Sequence, residues 1–390
     1  MASGSKATNL LVCCDSVDNG SDNIDWSKFP KDLLEEIVFR LVRLSDHINF
    51  ASVCTSWRSV AVENRSRIPR QIPLVIIPGK FNKETRAFFS LYSGKTYGAH
   101  LPELHRNWCC GSSEGWLVIE DDYREEIFLL NPFSRAKIQL PSLSTFSDPQ
   151  DSADPERLRK FQFVMKAILS SNPDTTSNYV VMAIMVCEEE NLSFWRPGNK
   201  RWKTLTTRWD PYEDIIYHNG LFYALSNQGP VVTVDIDSDP ISVIEIAPRV
   251  AEPRLVDKLY LVESLGDLIL VLRIDCEWQK VDGSLLQPYK TVEFQGYKLD
   301  RMNRRWMKIK SIGDQMLFLS DNCSMSLSSR YFPECSRGDS IYFNDDYSQR
   351  YFHNTFGCRD TVVFDLADKS FYKGPPFCSN TIIWVTPQPW

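Results

Sequence analysis

From Phe88 onward one short pattern returns about six times, and no other feature restricts the possible folds so strongly. An aromatic-rich strand runs into a polar turn, then a basic or small residue, then a second strand. The copies are Phe88–Lys95, Ile127–Arg135, Leu192–Trp202, Val231–Asp239, Phe294–Trp306 and Val362–Lys369. Their spacing, roughly fifty residues, is that of a blade in a β-propeller. Before several copies an inner strand with a Gly turn is expected, at Gly115-Trp116, Gly220-Leu221-Phe222 and Gly266-Asp267-Leu268. The first hairpin lacks such a strand, and Thr381–Val385 supplies a spare one near the C-terminus. A terminal strand that completes the first blade removes an exposed edge, the usual problem of β architectures.

Other strand-like runs agree with an all-β reading, among them Leu74–Ile77, Gly115–Ile119, Tyr179–Val186 and Asp267–Arg273. None alternates with a long helical pattern, which argues against a parallel α/β fold. The aromatic content of 12%, with 11 Trp, suits pleated, half-buried surfaces. Ahead of Pro69 the periodicity is helical. Pro30 suits a first helical turn, followed by Asp32, Glu35 and Glu36 at the positive helix end. Leu33, Leu34, Ile37, Val38 and Leu41 then recur at three- and four-residue spacing. Ser45 or Asp46 is a candidate cap for a second helix carrying Ile48, Phe50, Val53 and Cys54, and Ser56 for a third carrying Trp57, Val60 and Ala61. Three short helices in about forty residues make little core of their own and need a partner. Residues 1–24, rich in Ser, Asp, Asn and Gly without periodicity, read as a disordered tail.

The helical segment resembles an F-box. The residues that carry the resemblance are Phe29-Pro30-x-Asp32-Leu33-Leu34-x-x-Ile37, then Arg40-Leu41, then Val53-Cys54-x-x-Trp57-Arg58-x-x-Ala61. Phe29 departs from the Leu usual at the start of that family. The remainder resembles plant F-box proteins with a C-terminal β-propeller of the KIB type, through Gly111–Trp116, Leu130–Phe133, Ser311–Asp314 with Met316–Phe318, and Ser340–Phe343. The fold class expected is thus α+β and multidomain: tail 1–24, three-helix F-box 25–68, and at 72–390 an all-β propeller of about six kelch-like blades.

What the resemblance implies is a substrate-receptor subunit of an SCF-type E3 ubiquitin ligase. An F-box docks a Skp-type adaptor, which joins a cullin and a RING subunit, while the propeller holds an unknown target protein. Phe29, Pro30, Leu33, Leu34, Ile37, Leu41, Val53, Trp57 and Arg58 are the residues expected to contact the adaptor or to form the frame behind the contact. Target recognition is expected on loops: the stretch 144–157, the loop 277–290, and the aromatic loop with Tyr347, Tyr351, Phe352 and His353. No bond chemistry, cofactor or metal is expected, and the location is nuclear, cytoplasmic or both.

Competing chemistry finds little support. With a net charge of -6 and a pI near 5.6, the chain has no general attraction for phosphate backbones. The basic and acidic residues between 27 and 70 are also too evenly matched for a nucleic-acid footprint. The best apolar run, Tyr179–Cys187, falls well short of the roughly 20 residues a membrane helix needs. The 11 Cys include no Cys-x-x-Cys, so reduced thiols are expected. Lys95-Thr96 follows Gly94, but Phe89 stands where a phosphate-binding loop needs Gly. His47, His100, His105, His218 and His353 form no ligand pattern. The alternative reading is a propeller-fold hydrolase, or a ligand-binding protein, with an accessory helical module. It requires His and carboxylates clustered around the channel, where His218 is the one candidate that precedes a Gly turn.

Overall fold

The computed structural model describes residues 25–78, 84–105, 107–121, 126–145, 163–186, 190–205, 207–250, 256–275, 291–333, 338–343, 362–373 and 383–388. The chain divides into two units, Met1–Ile68 and Pro69–Trp390.

The first unit holds three helices, α1 (Lys31–Val38), α2 (Leu44–Ser52) and α3 (Thr55–Glu63). Pro30 stands one residue ahead of α1 with an extended ψ of 138°. There its missing N–H costs nothing. The other two helices begin earlier than their candidate caps predict. Arg43 and Cys54 occupy the N-cap positions without a side-chain cap, and Ser45, Asp46 and Ser56 lie inside the first turns. Packing of short helices against one another, more than local capping, sets such boundaries. The core is small: Leu34, Val38, Phe50, Ala51, Val60 and Ala61, with Phe29, Ile37, Leu41 and Trp57 packed around it.

The second unit is a six-bladed propeller. Blade one contains β1 (Leu74–Pro78), β2 (Thr85–Ser90) and β3 (Thr96–His100), and blade two β4 (Trp108–Ser113), β5 (Trp116–Asp121), β6 (Glu126–Leu130) and β7 (Lys137–Gln139). Blade three holds β8 (Phe163–Leu169), β9 (Val181–Val186), β10 (Glu190–Trp195) and β11 (Lys203–Leu205). Blade four holds β12 (Tyr212–His218), β13 (Leu221–Ser226), β14 (Val231–Asp235) and β15 (Ser242–Ala247). Blade five holds β16 (Val256–Ser264), β17 (Asp267–Asp275), β18 (Thr291–Asp300) and β19 (Arg305–Ile309). Blade six has five strands: β20 (Gln315–Ser320), β21 (Cys323–Ser328), β22 (Ser340–Phe343), β23 (Val362–Asp365) and β24 (Ser370–Lys373).

All six sequence repeats are the outer hairpins of the blades, formed by the two strands farthest from the channel. Their turn chemistry explains why they are legible. The polar residue at the end of the hairpin's first strand, or directly after it, folds its side chain back onto the following amides. Asn131 Oδ1 accepts from Phe133 and Ser134 N–H, Asp235 Oδ1 from Asp237 and Ser238, and Asp365 Oδ1 from Ala367 and Asp368. In three blades the basic residue before the hairpin's second strand, Arg135, Arg304 or Lys369, takes a positive φ.

The Gly turns place one expectation differently. The strand after each Gly turn is second from the channel, and the innermost strand precedes the turn. At Glu114-Gly115, Asn219-Gly220 and Leu265-Gly266 both turn residues have positive φ, the two-residue hairpin geometry that matches strand twist. Blade six departs from the four-strand pattern. There β20 is inserted between the innermost β21 and β22, antiparallel to the first and parallel to the second. Ring closure is as expected: β25 (Ile383–Val385) pairs with β1, placing Leu74 opposite Val385 and Val75 opposite Trp384.

The apolar core lies between blades. One cluster joins Trp116, Val118 and Leu129 of blade two to Val164, Val181 and Trp195 of blade three. Similar clusters join blades three to four, four to five, five to six, and one to two. Blades two to five are thus covered on both faces, which is why strands such as Val181–Val186 read as continuous apolar runs. Trp384 is buried at the closure and meets Phe318 of blade six at 5.5 Å between ring centroids. Trp384→Ala is expected to lower stability by about 3–5 kcal/mol. Ile244→Ala, on the exposed edge of blade four, should change it by less than about 0.5 kcal/mol. Urea unfolding of the two variants measures the difference.

Candidate functional site

In the helical unit, α1 carries two adjacent stripes. Leu34 and Val38, four residues apart, point into the core, and Leu34 is 1% exposed. Leu33 and Ile37 form the neighbouring stripe, with Leu33 at 47% exposure and Ile37 half-buried. Val53, between α2 and α3, is 52% exposed. Ile48 is exposed while Phe50, two positions on, is buried, so the apolar residues of α2 serve opposite faces.

Around these residues runs an aromatic frame. Trp57 packs on Phe50 at 4.5 Å and on Phe29 at 6.5 Å, and its Nε1 donates to the Trp26 carbonyl at 2.9 Å. Trp26 stacks on Phe29 at 5.6 Å. Arg58 is exposed and donates from Nε to the Ala51 carbonyl, bracing α3 against α2. His47 is buried, with Nε2 3.0 Å from the Leu41 carbonyl, a structural role.

The structure sorts the nine expected adaptor residues into two groups. Leu34 belongs to the core, while Phe29, Ile37, Leu41 and Trp57 pack around it as the frame. Pro30, Leu33, Val53 and Arg58 are presented to solvent. Sequence reading did not pick out the exposed Trp26, Phe39 and Val62. Trp26 and Phe39 lie outside the quoted pattern, and no periodic signal separates them from core.

The propeller has its own concave site. At one mouth of the channel, a cavity of about 320 Å³ is lined by the ends of the innermost strands, including Ser113, Ser170, His218 and Glu263, together with Arg70 and Gln388. Behind it lies a line of buried charge. Four innermost strands, β4, β8, β12 and β16, carry a β-bulge at the same place, just ahead of Gly111, Lys166, Asp214 and Lys258. A bulge re-aims the side chain that follows it. Lys166 Nζ meets Asp214 Oδ1 at 2.5 Å, with the side chains 5% and 3% exposed. Lys258 pairs with Asp321. Where the fourth bulge approaches blade three, only glycine fits, because a Cβ at Gly111 would lie 2.1 Å from the Ala167 carbonyl oxygen.

Buried carboxylates also tie blades together. Glu120 accepts the Val164 N–H at 2.8 Å, and Asp214 Oδ2 the Leu261 N–H at 2.7 Å. Such pairing keeps the buried charges satisfied. Sequence reading missed these residues because a lone Lys or Asp in a strand looks like a solvent-facing position.

His218 does line the channel mouth. Among the described residues no three His, Cys, Asp or Glu are grouped to hold a metal ion. The thiols nearest the channel are buried. Burial pushes Cys109 and Cys323 up to about 12 and Cys110 well above the ordinary thiol value. The aromatic loop with Tyr347, Tyr351, Phe352 and His353, the loop 277–290 and most of 144–157 lie outside the described residues.

Three short helices followed by a closed six-bladed propeller define the class of protein. The chain belongs to the KIB1-4 beta-propeller family, whose match spans residues 88–365, and an F-box domain matches residues 26–68. It is similar to the F-box protein SKIP23 of Arabidopsis thaliana, at 27% identity over 94% of this chain and 95% of that protein. The F-box/kelch-repeat protein At3g18720 of the same plant is 27% identical over 77% of this chain and 76% of its own length.

Leu34→Ala should cost about 2–5 kcal/mol of stability. Leu33→Ala and Val53→Ala should stay within about 0.5 kcal/mol. Urea titration followed by circular dichroism at the helical band separates the two groups. For Cys109, Cys110 and Cys323, a raised folded pKa keeps the native thiol protonated where the unfolded thiolate forms. Their contribution to stability is therefore present below the unfolded value of roughly 8.5 and declines as pH rises from there toward 12. At pH 8, iodoacetamide should label these three only after denaturant is added, as read by peptide mass spectrometry.

Proposed function

We propose that this chain is the substrate-receptor subunit of an SCF-type ubiquitin ligase. Its helical unit docks a Skp-type adaptor, and through it a cullin and a RING subunit, while its propeller holds a target protein. The observation that carries this reading is the division of the helical unit. A core of only six buried side chains supports the frame, yet Leu33, Ile48 and Val53 remain in water. Exposed apolar residues beside a rigid aromatic frame suit docking into an apolar partner surface, where Leu33 and Val53 would gain the burial their own unit does not supply.

The role requires no bond-making chemistry in the chain itself. Holding a target at a fixed distance from the ubiquitin-charged enzyme raises its effective concentration, which is a proximity effect. The family membership and the two Arabidopsis relatives support the reading.

A pull-down with purified Skp-type adaptor tests it. Wild type should bind, and Leu33→Asp/Val53→Asp should lose binding by at least tenfold while keeping its melting temperature, because both side chains are exposed. Residues 69–390 alone should not bind. Failure of the wild-type chain to capture the adaptor overturns the proposal.

A further inference from the structure

The mouth of the propeller channel is a cavity that the adaptor-docking surface does not use. Its charges are unevenly satisfied, and that imbalance points to a ligand chemistry. Lys166 lies four residues before Ser170 along its strand, or about 13 Å back from the rim at roughly 3.3 Å per residue. Its ammonium has three N–H groups. One goes to Asp214 at 2.5 Å, and a second faces Ser324 Oγ at 3.5 Å, the outer limit of a hydrogen bond.

Asp214 is more fully engaged than its partner. Its oxygens also accept the Ile215 N–H at 2.8 Å and the Leu261 N–H at 2.7 Å. The negative charge is therefore shared among three donors, and Lys166 keeps donor capacity toward the cavity it lines.

At the rim, Arg70 repeats the imbalance. Its Nη1 is 3.9 Å from Glu263 Oε2, beyond hydrogen-bonding distance, and Glu263 Oε1 is occupied by the Gly266 N–H at 2.8 Å. Ile168, Ile215 and Met325 add apolar wall to the cavity. The volume of about 320 Å³ sits at the low end of ligand pockets, roughly 300–1,000 Å³. It admits one or two side chains and no folded element.

We propose that this cavity is the target-recognition pocket and takes a single acidic side chain from an extended protein segment. The carboxylate reaches in toward Lys166, Arg70 adds attraction at the entrance, and the methylenes lie against the apolar wall. The assignment of a protein ligand rests on the receptor reading above. Glu114 and Glu263 on the rim set the limit of this preference. They repel a second carboxylate beside the first, so an isolated acid flanked by uncharged residues is selected over an acidic run.

The test is a random-peptide display library panned on the full-length protein. The expected result is enrichment of peptides with one Asp or Glu between uncharged residues. A selected synthetic peptide should weaken at least tenfold when its acid becomes the amide. Arg70→Glu, an exposed substitution, should abolish the acid preference or turn it toward Lys or Arg. Hydrogen exchange should show protection at Leu169–Ser170 and Tyr217–Asn219 when the peptide is bound. Lys166→Met is not used alone, because it would strand the buried Asp214 charge and unfold the blade.

Several results overturn the proposal: no specific peptide, peptides without an acid preference, a preference unchanged in Arg70→Glu, or protection elsewhere. These outcomes are independent of the adaptor pull-down. Acid selection in a chain that fails to bind adaptor leaves the pocket standing and removes the ligase reading. Adaptor binding without acid selection does the reverse.

Discussion

Everything in the propeller depends on sheet packed against sheet. The apolar clusters belong to pairs of neighbouring blades and cover blades two to five on both faces, while Trp384 on Phe318 links blade one to blade six. A lone four-stranded sheet of this kind would expose two apolar faces at once, so no blade has a stable surface without its neighbours. A linear stack would still leave its two ends bare. Closing the ring removes them, and the three residues of β25 complete the first blade with the last segment of the chain. The inner strands are then held around a narrow channel, with polar strand ends at its mouth.

That packing also explains how charge enters the core. The recurring bulge on four innermost strands directs Lys166, Asp214 and Lys258 inward, where they find Asp214, Lys166 and Asp321. Buried pairs of this kind contribute little net stability compared with apolar side chains, yet breaking one is costly. Asp214 additionally takes a backbone N–H from the next blade, so it fixes blade position as well as neutralising Lys166. The helical unit follows a different logic. Its core is complete enough to orient Trp57 and Phe29 but too small to cover Leu33, Ile48 and Val53. One unit buries most of its apolar surface; the other leaves Leu33, Ile48 and Val53 exposed.

Much of this was legible from the amino-acid order, for identifiable reasons. The outer hairpins announced themselves because Asn131, Asp235 and Asp365 make local turns that need no tertiary help. The Gly turns were also visible, since two successive positive φ values favour Gly and Asn at short range. Which side of each turn faces the channel was not visible. That depends on blade order, and the strands on both sides are similarly apolar. The inserted β20 escaped for the same reason, because its parallel pairing with β22 is a long-range contact between two short apolar runs. At the helical site, adjacent Leu33 and Leu34 carry the same side chain, yet one is exposed and the other buried.

By itself the sequence determined a helical module, a repeated hairpin with a fifty-residue period, and a spare strand to close the ring. These are properties of local turn chemistry and hydrophobic periodicity, which act over a few residues. Only the tertiary structure decided which leucine faces water, where the extra strand of blade six lies, and how Lys166 and Arg70 come to line one cavity with Asp214 buried behind it. Those outcomes depend on residues tens to hundreds of positions apart meeting in a closed ring, where burial and charge satisfaction are set by neighbours that no local pattern names.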